Sequence, residues 1–412
     1  MLLNRRVIVG ICGGIASYKA VELVSQLQQA GAIVDVIMTE HAGDFIRPLT
    51  FSTMSHRPVY SDLWEPSGKA AETHIALAEA AEVLAIVPAT ANTIARLAHG
   101  MADNMLTAVA LATKAPLLLA PAMYMDMYTH PATQANLRVL RERGAHIVEP
   151  EVGRLASGAI GPGRLPETAT LLGAIAMVLG REGDLAGRRV IVTAGGTQEP
   201  LDPVRYLGNR SSGKMGYALA TEARDRGAHV VLISGPVALP PPYGVELHSV
   251  GTTLQMRDAI HSFIHEADVL VMSAAVADFR PAKPAAQKIK KTSGNAGEFS
   301  VDLVQNPDIL KELAEVLHKP DKSGPSRRPI CVGFAAETEH IIAHAQAKLA
   351  TKRLDLLVAN DVTRADSGFG TDTNKVMIFH ADGAVEDLPV MPKTGVAAAI
   401  WDRIVPLLNK AA

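Results

Sequence analysis

The 412-residue sequence predicts an α/β protein with two doubly wound, parallel-sheet domains. Two segments, which start at Arg5 and Arg188, both open with RRVIV and continue as a buried strand, a Gly-rich turn, a helix and a second buried strand. Each segment therefore reads as a βαβ unit of the Rossmann-like kind. Apolar residues make up 48% of the chain and aromatic residues only 4%, which suits strands that alternate with helices.

Short apolar runs extend each βαβ unit into a larger sheet. They are VLAIVPAT, PLLLAPAM and HIVEP in the first half, and DVLVMSAAVADF, PICVGFAAE and LDLLVAND in the second. Runs of this length between helical patterns predict parallel strands covered on both faces. A polar, Gly-rich stretch at residues 180–189 predicts the join. We therefore expect domains at residues 1–184 and 185–412.

Bulk properties exclude several classes of protein. With a net charge of −2, the chain has no overall positive charge that would attract nucleic acid. No stretch approaches the roughly 18–20 apolar residues of a membrane span, and the first apolar run is too short for a signal peptide. Cys12 and Cys331 lie far apart, which argues against a disulfide framework or a thiolate zinc site and fits a reducing compartment. We expect a cytoplasmic protein that binds neither nucleic acid nor membranes.

The residues that follow the strands of the first half are candidate ligand contacts, because doubly wound sheets bind ligands at the carboxyl ends of their strands. Gly13 and Gly14 would let backbone N–H groups face an anion at a helix N-terminus, although a purely structural turn is an alternative. The PATANT stretch adds hydroxyl and amide groups, which favours a mononucleotide. The polar candidates at these strand ends are Ser17, Thr39, Thr90, Asn92 and Thr93.

Two further features of the first half suggest chemistry. His74 lies in an apolar helical stretch, where it is either a structural histidine or a base suited to take a proton from a thiol near neutral pH. The stretch LASGAIGPGR, residues 155–164, contains three Gly and one Pro, which predicts a mobile flap and neither helix nor strand. Ser157 lies in this flap and Arg164 at its end.

The second half carries basic groups that suit a polyphosphate. RYLGNRSSGKMG, residues 205–216, precedes a helix and is either a phosphate loop or a solvated charged loop; it lacks the GxxxxGK spacing. Lysines are usually solvated, but three groups of them near strand ends suggest a triphosphate and its leaving pyrophosphate. They are Lys214, then Lys288 with Lys290 and Lys291, then Lys348 with Lys352 on one helix face.

Longer motifs resemble the bifunctional phosphopantothenoylcysteine decarboxylase / phosphopantothenate–cysteine ligase family of coenzyme A biosynthesis. The motifs are GGIASYKA, THIALA, PATANTIARLAHGMADN, PAM, GPGR and PLDPVRYLGNRSSGKMG. The resemblance covers nearly the whole chain. It implies an N-terminal flavoprotein domain and a C-terminal ligase domain.

For the first domain, the resemblance implies FMN and a decarboxylation. The substrate's cysteinyl thiol is oxidised to a thioaldehyde, CO₂ leaves because the carbanion delocalises onto sulfur, and the enethiolate is reduced again. His74 takes the role of the base. The implied FMN contacts are Gly13, Gly14, Ile15, Ser17, Thr39, Thr90, Asn92, Thr93 and Ala122.

Two positions depart from the family pattern. Ser157 stands where the family has a proton-donating Cys. A hydroxyl is a far weaker acid than a cysteine thiol, whose pKa is about 8.5. Tyr124 stands where the family has an Asn that binds the substrate carboxylate. Either water or another residue such as Cys12 donates the proton, or the reaction stops after oxidative decarboxylation, or the domain binds FMN without activity.

For the second domain, the resemblance implies CTP and Mg²⁺. The 4′-phosphopantothenate carboxylate attacks the α-phosphate, and the cysteine amine then displaces CMP from the acyl-cytidylate. Asn209 holds the acyl-cytidylate, Lys288 acts in catalysis, and Arg205, Arg210 and Lys214 are candidates for binding phosphopantothenate. The implied CTP contacts are Met272, Ser273, Ala274, Asp278, Lys288, Pro307, Asp308, Ile309, Leu310, Phe334, Lys348 and Lys352. The metal ligands are unknown; we expect the triphosphate to hold most of the Mg²⁺ coordination.

The resemblance also implies a homo-oligomer, with dimers of ligase domains and trimers of flavin domains that a dodecamer would satisfy. Two other functions remain open from the residues. One is an NAD(P)-dependent reductase, although neither turn has a complete GxGxxG. The other, for the first half, is a flavin-binding module without catalysis.

Overall fold

The computed structural model describes residues 2–64, 73–290, 299–317, 328–337, 341–361, 367–368 and 370–410. The chain forms two compact units, Met1–Gly180 and Arg181–Ala412. In each unit parallel strands alternate with helices, so the predicted α/β, doubly wound class is confirmed. No helix among the described residues is long and apolar enough to cross a membrane.

The N-terminal unit contains eight strands and eight α-helices within the described ranges. In chain order they are β1 (Arg6–Ile11), α1 (Ser17–Gln29), β2 (Ile33–Met38), α2 (Pro48–Ser55), β3 (Val59–Tyr60), α3 (Thr73–Ala80), β4 (Val83–Ala89), α4 (Ala91–His99), α5 (Met105–Ala112), β5 (Leu117–Pro121), α6 (Met125–Thr129), α7 (Pro131–Glu142), β6 (His146–Ile147), β7 (Glu151–Arg154), β8 (Ile160–Arg164) and α8 (Thr168–Gly180).

A six-stranded parallel sheet forms the centre of this unit. Its order is β3-β2-β1-β4-β5-β6, so the winding reverses between β1 and β4. β1 and β4 are almost entirely buried because helices cover both faces of the sheet. Helices α3, α4, α5 and α7 pack around one core cluster, and α1, α2 and α8 pack together and against the strands elsewhere.

The C-terminal unit follows the same plan with additional hairpins. Its elements are β9 (Arg189–Ala194), β10 (Gln198–Pro200), β11 (Tyr206–Gly208), α9 (Lys214–Asp225), β12 (His229–Ser234), β13 (Glu246–Ser249), α10 (Thr253–Phe263), β14 (Val269–Met272), β15 (Phe279–Pro281), β16 (Leu303–Gln305), α11 (Ile309–Leu317), β17 (Ile330–Glu337), α12 (Ile341–Thr351), β18 (Leu356–Asp361), β19 (Thr373–Asn374), β20 (Val376–His380), β21 (Val385–Asp387), β22 (Met391–Pro392) and α13 (Lys393–Lys410).

Its main sheet has the order β13-β12-β9-β14-β17-β18-β20-β21. The strands are parallel up to β18, and β20 and β21 add an antiparallel edge. α9 and α13 pack on one face around the buried Trp401, whose indole N–H donates to the Leu219 carbonyl at 3.0 Å. α10, α11 and α12 pack on the other face. The winding reverses between β9 and β14.

A buried carboxylate stabilises the outer part of the N-terminal sheet. The side chain of Asp35, in β2, is fully buried. Its Oδ2 accepts from Arg6 Nε at 3.1 Å, and its Oδ1 accepts from Arg57 Nε at 2.7 Å. Asp35 therefore ties β1 and the segment before β3 to β2. A buried charge of this kind is stable only while both partners remain.

We expect Asp35→Ala to lower the free energy of unfolding by about 2–3 kcal/mol, less than for a fully buried ion pair because both guanidinium groups reach solvent. Urea unfolding of the full chain measures the loss. Asp44→Ala is the matched control, since Asp44 pairs with His41 on the surface and should cost less than about 0.5 kcal/mol. Equal losses in the two variants would contradict the interpretation.

Candidate functional site

The N-terminal unit has a cavity of about 610 Å³ at the carboxyl ends of β1 and β4. Ligands of doubly wound sheets bind at this point, where the strand order reverses. The walls come from the turns after β1 and β4, the segment after β5, and the β7–β8 hairpin. The predicted residues that line the cavity are Gly13, Gly14, Ile15, Thr90, Ala122, Tyr124, Ser157 and Arg164.

The start of α1 is built to receive a polar or anionic group. A Cβ on Gly13 would lie 2.8 Å from the backbone carbonyl of His41, so a side chain there would push the turn away from its neighbour. The hydroxyl of Ser17, the first residue of α1, is buried and has no hydrogen-bond partner within the described part of the chain. Buried hydroxyls are normally satisfied, and helix N-termini attract anions. Ser17 itself does not line the cavity, but its neighbours Ala16 and Tyr18 do, so this end of the cavity suits a phosphate.

Thr90 and Thr93 connect the cavity to the core. Thr90 Oγ1 accepts from the Thr93 N–H at 3.3 Å and so caps α4. Thr93 Oγ1 accepts in turn from Thr90 Oγ1 and from Cys12 Sγ, both at 3.2 Å. Burial raises the pKa of the Cys12 thiol, and Cys12 does not line the cavity. The structure thus gives no support to Cys12 as a substitute proton donor.

Residues 151–164 form an antiparallel hairpin, so the expectation that 155–164 contains no strand is wrong for Ile160–Arg164. β7 supplies a hydrogen-bonding partner, and the Met123 N–H donates to the Gly163 carbonyl at 3.1 Å. Gly163 has φ +136°, and a Cβ there would lie 2.1 Å from the Met123 carbonyl oxygen. The glycines that argued against a strand are thus what allows β8 to approach the segment after β5.

The hairpin brings the two family departures into one cavity. Ser157 is exposed in the turn at the tip, where the Leu155 N–H donates to the Ala159 carbonyl at 2.8 Å. Tyr124 immediately precedes α6, on the segment that β8 contacts, and is 40% exposed. Both line the cavity. The departures at 124 and 157 therefore affect the same binding space.

Five predicted residues of this unit do not line the cavity. Ser17 and Thr93 are buried, Thr39 donates to the Ile11 carbonyl at 3.4 Å, Asn92 accepts from Arg96, and His74 is partly buried in α3. Their roles stay predictions.

The sequence analysis missed several lining residues. The exposed side chains of Tyr18 and Met127 line the cavity together with the predicted Ile15. Lys19 also lines it, and its Nζ donates to the Leu165 carbonyl at 3.2 Å and pairs with Glu167. Tyr18 and Lys19 lie in the first turn of α1, so the helix start was the available signal. Met127 follows no strand, and nothing in the sequence singled it out. Exposed apolar side chains at a cavity suit a flat, largely apolar ring.

We expect Gly163→Ala to displace the hairpin from the Met123 carbonyl, because the new Cβ overlaps that oxygen and the backbone conformation is strained, at a local cost above about 1 kcal/mol. Trypsin should then cleave faster after Arg154 and Arg164. Gly153→Ala is the control in the same hairpin, since its Cβ would meet only the Arg164 side chain, at 3.4 Å. Unchanged cleavage of the Gly163 variant would contradict the proposed contact.

The C-terminal unit has a cavity of about 540 Å³ at the ends of β9 and β14, again at the reversal of strand order. Thirteen of the residues predicted for the ligase domain line it. They are Asn209, Lys214, Met272, Ser273, Ala274, Asp278, Pro307, Asp308, Ile309, Leu310, Phe334, Lys348 and Lys352. The positions that the family resemblance implies thus converge on one space.

Close backbone approaches shape the centre of this cavity. A Cβ on Gly216 would lie 2.7 Å from Ser273 Oγ and 2.8 Å from the Thr193 carbonyl oxygen, so glycine lets α9 lie against the ends of β9 and β14. A Cβ on Gly196 would lie 2.8 Å from the Asn209 carbonyl oxygen. Asn209 Nδ2 donates to the carbonyls of Ala275 and Val276, at 3.3 and 3.1 Å. Within the described part of the chain its side-chain oxygen accepts no hydrogen bond.

The lining carries more positive than negative charge. Four lysines stand against two aspartates, Asp278 and Asp308. Lys352 Nζ lies 3.1 Å from Asp308 Oδ2, and Lys214 Nζ lies 2.6 Å from Asp372 Oδ1. The Lys214 ammonium lowers the pKa of the Asp372 carboxyl. A space of this size and charge suits a polyphosphate.

Lys393 is a lining residue that the sequence analysis missed. It starts α13, and its Nζ donates to the carbonyls of Gly368, Thr371 and Thr373. Burial, with a smaller effect of the Lys214 charge, lowers the pKa of the Lys393 ammonium. It follows no parallel strand, so strand-end reasoning could not find it.

Three amide side chains were also missed: Gln305, Asn306 and Asn374. Asn360, at the end of the predicted strand LDLLVAND, also lines the cavity.

Four predicted residues that the structure describes do not line this cavity: Lys288, Lys290, Arg205 and Arg210. Lys288 and Arg210 are exposed. The Arg205 guanidinium contacts Asp202 and the Ile289 carbonyl. Lys291 lies outside the described residues. Within the described ranges no group of three or more His, Cys, Asp or Glu side chains is placed to hold a metal ion.

We expect Lys393→Met to weaken polyphosphate binding in this cavity by about tenfold, because it removes a positive charge and leaves three loop carbonyls without their charged donor. Calorimetric titration with inorganic triphosphate measures the affinity. Lys375→Met is the control, since Lys375 pairs with the exposed Asp387 at 3.2 Å and does not line the cavity. Wild-type affinity in the Lys393 variant would contradict the assignment.

Comparison with known proteins also finds two domains in this chain. Residues 1–180 match the protein-family model described as flavoprotein, and residues 185–407 match the DNA/pantothenate metabolism flavoprotein C-terminal domain. The coenzyme A biosynthesis bifunctional protein CoaBC of Bacillus subtilis (strain 168) is 45% identical over 410 residues, 99% of this chain and 98% of that protein. The corresponding protein of Mycolicibacterium smegmatis is 44% identical over 418 residues, 99% of each chain.

Among solved structures, the crystal structure of the C-terminal domain of a coenzyme A biosynthesis bifunctional protein CoaBC is 36% identical, covers 55% of this chain and 99% of its own, and has a TM-score of 0.45. The resemblance inferred from the motifs is confirmed by the full-length relatives. With flavoprotein and pantothenate-metabolism domains in this order, the chain belongs to the CoaBC family of bifunctional coenzyme A biosynthesis proteins.

Proposed function

We propose that this chain carries out two consecutive steps of coenzyme A biosynthesis. The C-terminal unit joins 4′-phosphopantothenate to cysteine at the expense of CTP, and the N-terminal unit, with FMN, decarboxylates the 4′-phosphopantothenoylcysteine to 4′-phosphopantetheine. One observation carries the proposal: in each unit most of the predicted ligand contacts line a single cavity at the reversal of strand order.

The ligase step needs a good leaving group on a carboxylate. The 4′-phosphopantothenate carboxylate attacks the α-phosphorus of CTP, pyrophosphate leaves, and the cysteine amine then displaces CMP from the acyl-cytidylate. Lys214, Lys348 and Lys352 line the cavity and would neutralise the charge that develops on the leaving pyrophosphate. Asn209, whose amide nitrogen is held by two carbonyls, would present its oxygen to the acyl-cytidylate. Mg²⁺ would be bound mainly by the triphosphate.

The described residues of the N-terminal unit fit FMN. The buried, unpartnered Ser17 hydroxyl and the N-terminus of α1 would receive its phosphate, and Ile15, Thr90 and Ala122 would contact the ring. FMN, when bound, would supply two-electron oxidation and reduction. Tyr124 would donate one hydrogen bond to the substrate carboxylate, and Arg164, which pairs with Glu167, would stand at the mouth of the cavity. His74 would take the proton of the substrate thiol.

A second candidate function follows from Ser157 and Tyr124. Both line the cavity, and neither supplies the acidity or the size of the Cys and Asn that the family pattern has there. In this alternative the ligase is active, and the decarboxylase domain is impaired or stops after oxidative decarboxylation.

We also propose a cytoplasmic homo-oligomer in which copies pair through the ligase domains, within a dodecamer of trimers and dimers. Two short hairpins, β10–β11 and β15–β16, leave apolar side chains exposed in the isolated unit, which supports pairing through this surface. They are Val204, Tyr206, Leu207, Phe279, Leu303 and Val304.

An anaerobic product assay tests the proposal. The FMN-loaded protein receives 4′-phosphopantothenate, cysteine, CTP and Mg²⁺, and mass spectrometry follows the products. 4′-Phosphopantetheine would support both activities. Accumulation of 4′-phosphopantothenoylcysteine, or of a product lighter by CO₂ and two hydrogens, would support the alternative. Absence of every ligated product would overturn the ligase assignment.

Because a thiol is a far stronger acid than a hydroxyl, we expect Ser157→Cys to raise 4′-phosphopantetheine formation by about tenfold or more if protonation limits the reductive half of the reaction. The same assay with 4′-phosphopantothenoylcysteine as substrate measures the rate. Ser157→Ala is the control and should not raise it. An unchanged rate in the Cys variant would show that Ser157 does not limit turnover.

A further inference from the structure

The turn between β10 and β11 is closed by a buried carboxylate. The Asp202 side chain is fully buried, and its Oδ1 accepts from the N–H groups of Val204 and Arg205, both at 2.8 Å. The Leu201 N–H donates to the Arg205 carbonyl at 2.9 Å and completes the turn. One oxygen of the carboxylate thus shapes the turn, and Oδ2 remains for other partners.

Oδ2 and Arg205 together bind both backbone groups of Ile289. Asp202 Oδ2 accepts from Arg205 Nε at 2.9 Å and from the Ile289 N–H at 3.1 Å. Arg205 Nη2 donates to the Ile289 carbonyl at 2.8 Å. In addition, the Ala285 N–H donates to the Leu201 carbonyl at 2.9 Å. A residue distant in sequence is therefore held to the 201–205 turn at its N–H and its C=O by one ion pair.

These contacts matter because the segment they hold has no regular structure of its own. The described residues 282–290 contain neither helix nor strand, and Lys288 is exposed, so packing does not fix its position. The guanidinium of Arg205 and the backbone N–H groups hold the pKa of the Asp202 carboxyl well below its usual range. The carboxylate thus stays ionised near neutral pH, and the contacts persist there.

The same hairpin leads into the cavity. β11 runs from the 201–205 turn to Gly208, and the next residue, Asn209, lines the cavity and donates to the carbonyls of Ala275 and Val276. One short hairpin therefore holds the backbone beside Lys288 at its turn and carries Asn209 at its end. The proposed ligase reaction uses Asn209, and Lys288 is the catalytic lysine that the family resemblance implies.

We propose that Asp202, together with Arg205, is a positioning residue for Lys288 in the ligase reaction. By binding both backbone groups of Ile289, the pair fixes the segment that carries Lys288 relative to Asn209. Arg205 then acts through this segment and not on the substrate. The inference rests on the proposed ligase function and deepens it.

Asp202→Asn isolates this role. An amide keeps an oxygen for the Val204 and Arg205 N–H groups and so preserves the turn, but it turns N–H donors towards Arg205 and the Ile289 N–H. Asp268→Asn is the matched control. The Asp268 carboxylate also binds an arginine, Arg188, at 3.1 Å and a backbone N–H, that of Arg189, at 2.8 Å, but it lies at the opposite ends of the strands.

The kinetic test uses the full-length protein, with CTP, 4′-phosphopantothenate, cysteine and Mg²⁺. We expect Asp202→Asn to lower kcat of ligation by about 10- to 100-fold, as a misplaced catalytic group does, with little change in KM for cysteine. Asp268→Asn should keep wild-type kcat. In a Lys288→Ala background, Asp202→Asn should cause no further loss, because the residue it positions is gone.

Hydrogen exchange supplies a readout independent of turnover. Peptides that cover residues 285–290 should exchange at least about tenfold faster in Asp202→Asn than in the wild type, whereas peptides of β9 should not change. Wild-type kcat in Asp202→Asn, an equal loss with and without Lys288, or unchanged exchange at 285–290 would each overturn the positioning role. A wild-type protein that forms no ligated product would instead overturn the proposed function, and the positioning role with it.

Discussion

The parallel pairing of two central strands is the constraint on which both cavities depend. β1 pairs with β4, and β9 pairs with β14. From the two strands of each pair, the following strands are added towards opposite edges of the sheet. Adjacent parallel strands lie about 4.8 Å apart, so the turns that leave their carboxyl ends cannot both fill the space between them. The gap is left for a ligand. The turn after each strand then contributes backbone N–H groups and short polar side chains, because longer side chains would close the gap.

Glycine makes this arrangement possible where elements approach most closely. Gly216 lets α9 start against the ends of β9 and β14, and Gly13 lets the turn after β1 pass His41. At these positions the reason is space, since any Cβ would lie within 3 Å of a neighbouring backbone atom. Gly163 adds a conformational reason, because its φ of +136° is one that other residues rarely adopt. The Gly-rich turns are therefore part of the packing as much as of the binding site.

The sequence was sufficient for the fold, which follows from periodicity, and for many of the lining residues, which follow from strand ends and from the family resemblance. The sequence was insufficient to predict structure at positions where contacts between residues distant in the chain determine it. Ile160–Arg164 forms a strand since β7 and Met123 pair with it, although its glycines and proline argue locally against a strand. Lys393 lines a cavity from the start of the last helix, where no strand precedes it. Arg205 belongs to a phosphate-like motif by composition, yet its guanidinium contacts Asp202 and Ile289. Such long-range pairs leave no periodic signal.

In both units a short antiparallel hairpin outside the main sheet carries chemistry that the sheet alone does not place. β7–β8 brings Ser157 over the N-terminal cavity and contacts the segment that bears Tyr124. β10–β11 leads to Asn209. Because a hairpin is held by local ladder bonds and few anchoring contacts, it can change its tip without disturbing the parallel sheet. This explains how the hairpin tip can differ from the family pattern at Ser157 while the sheet keeps the doubly wound order. It also explains why, in the C-terminal unit, one buried aspartate at a hairpin turn can matter to a reaction whose ligands it does not touch.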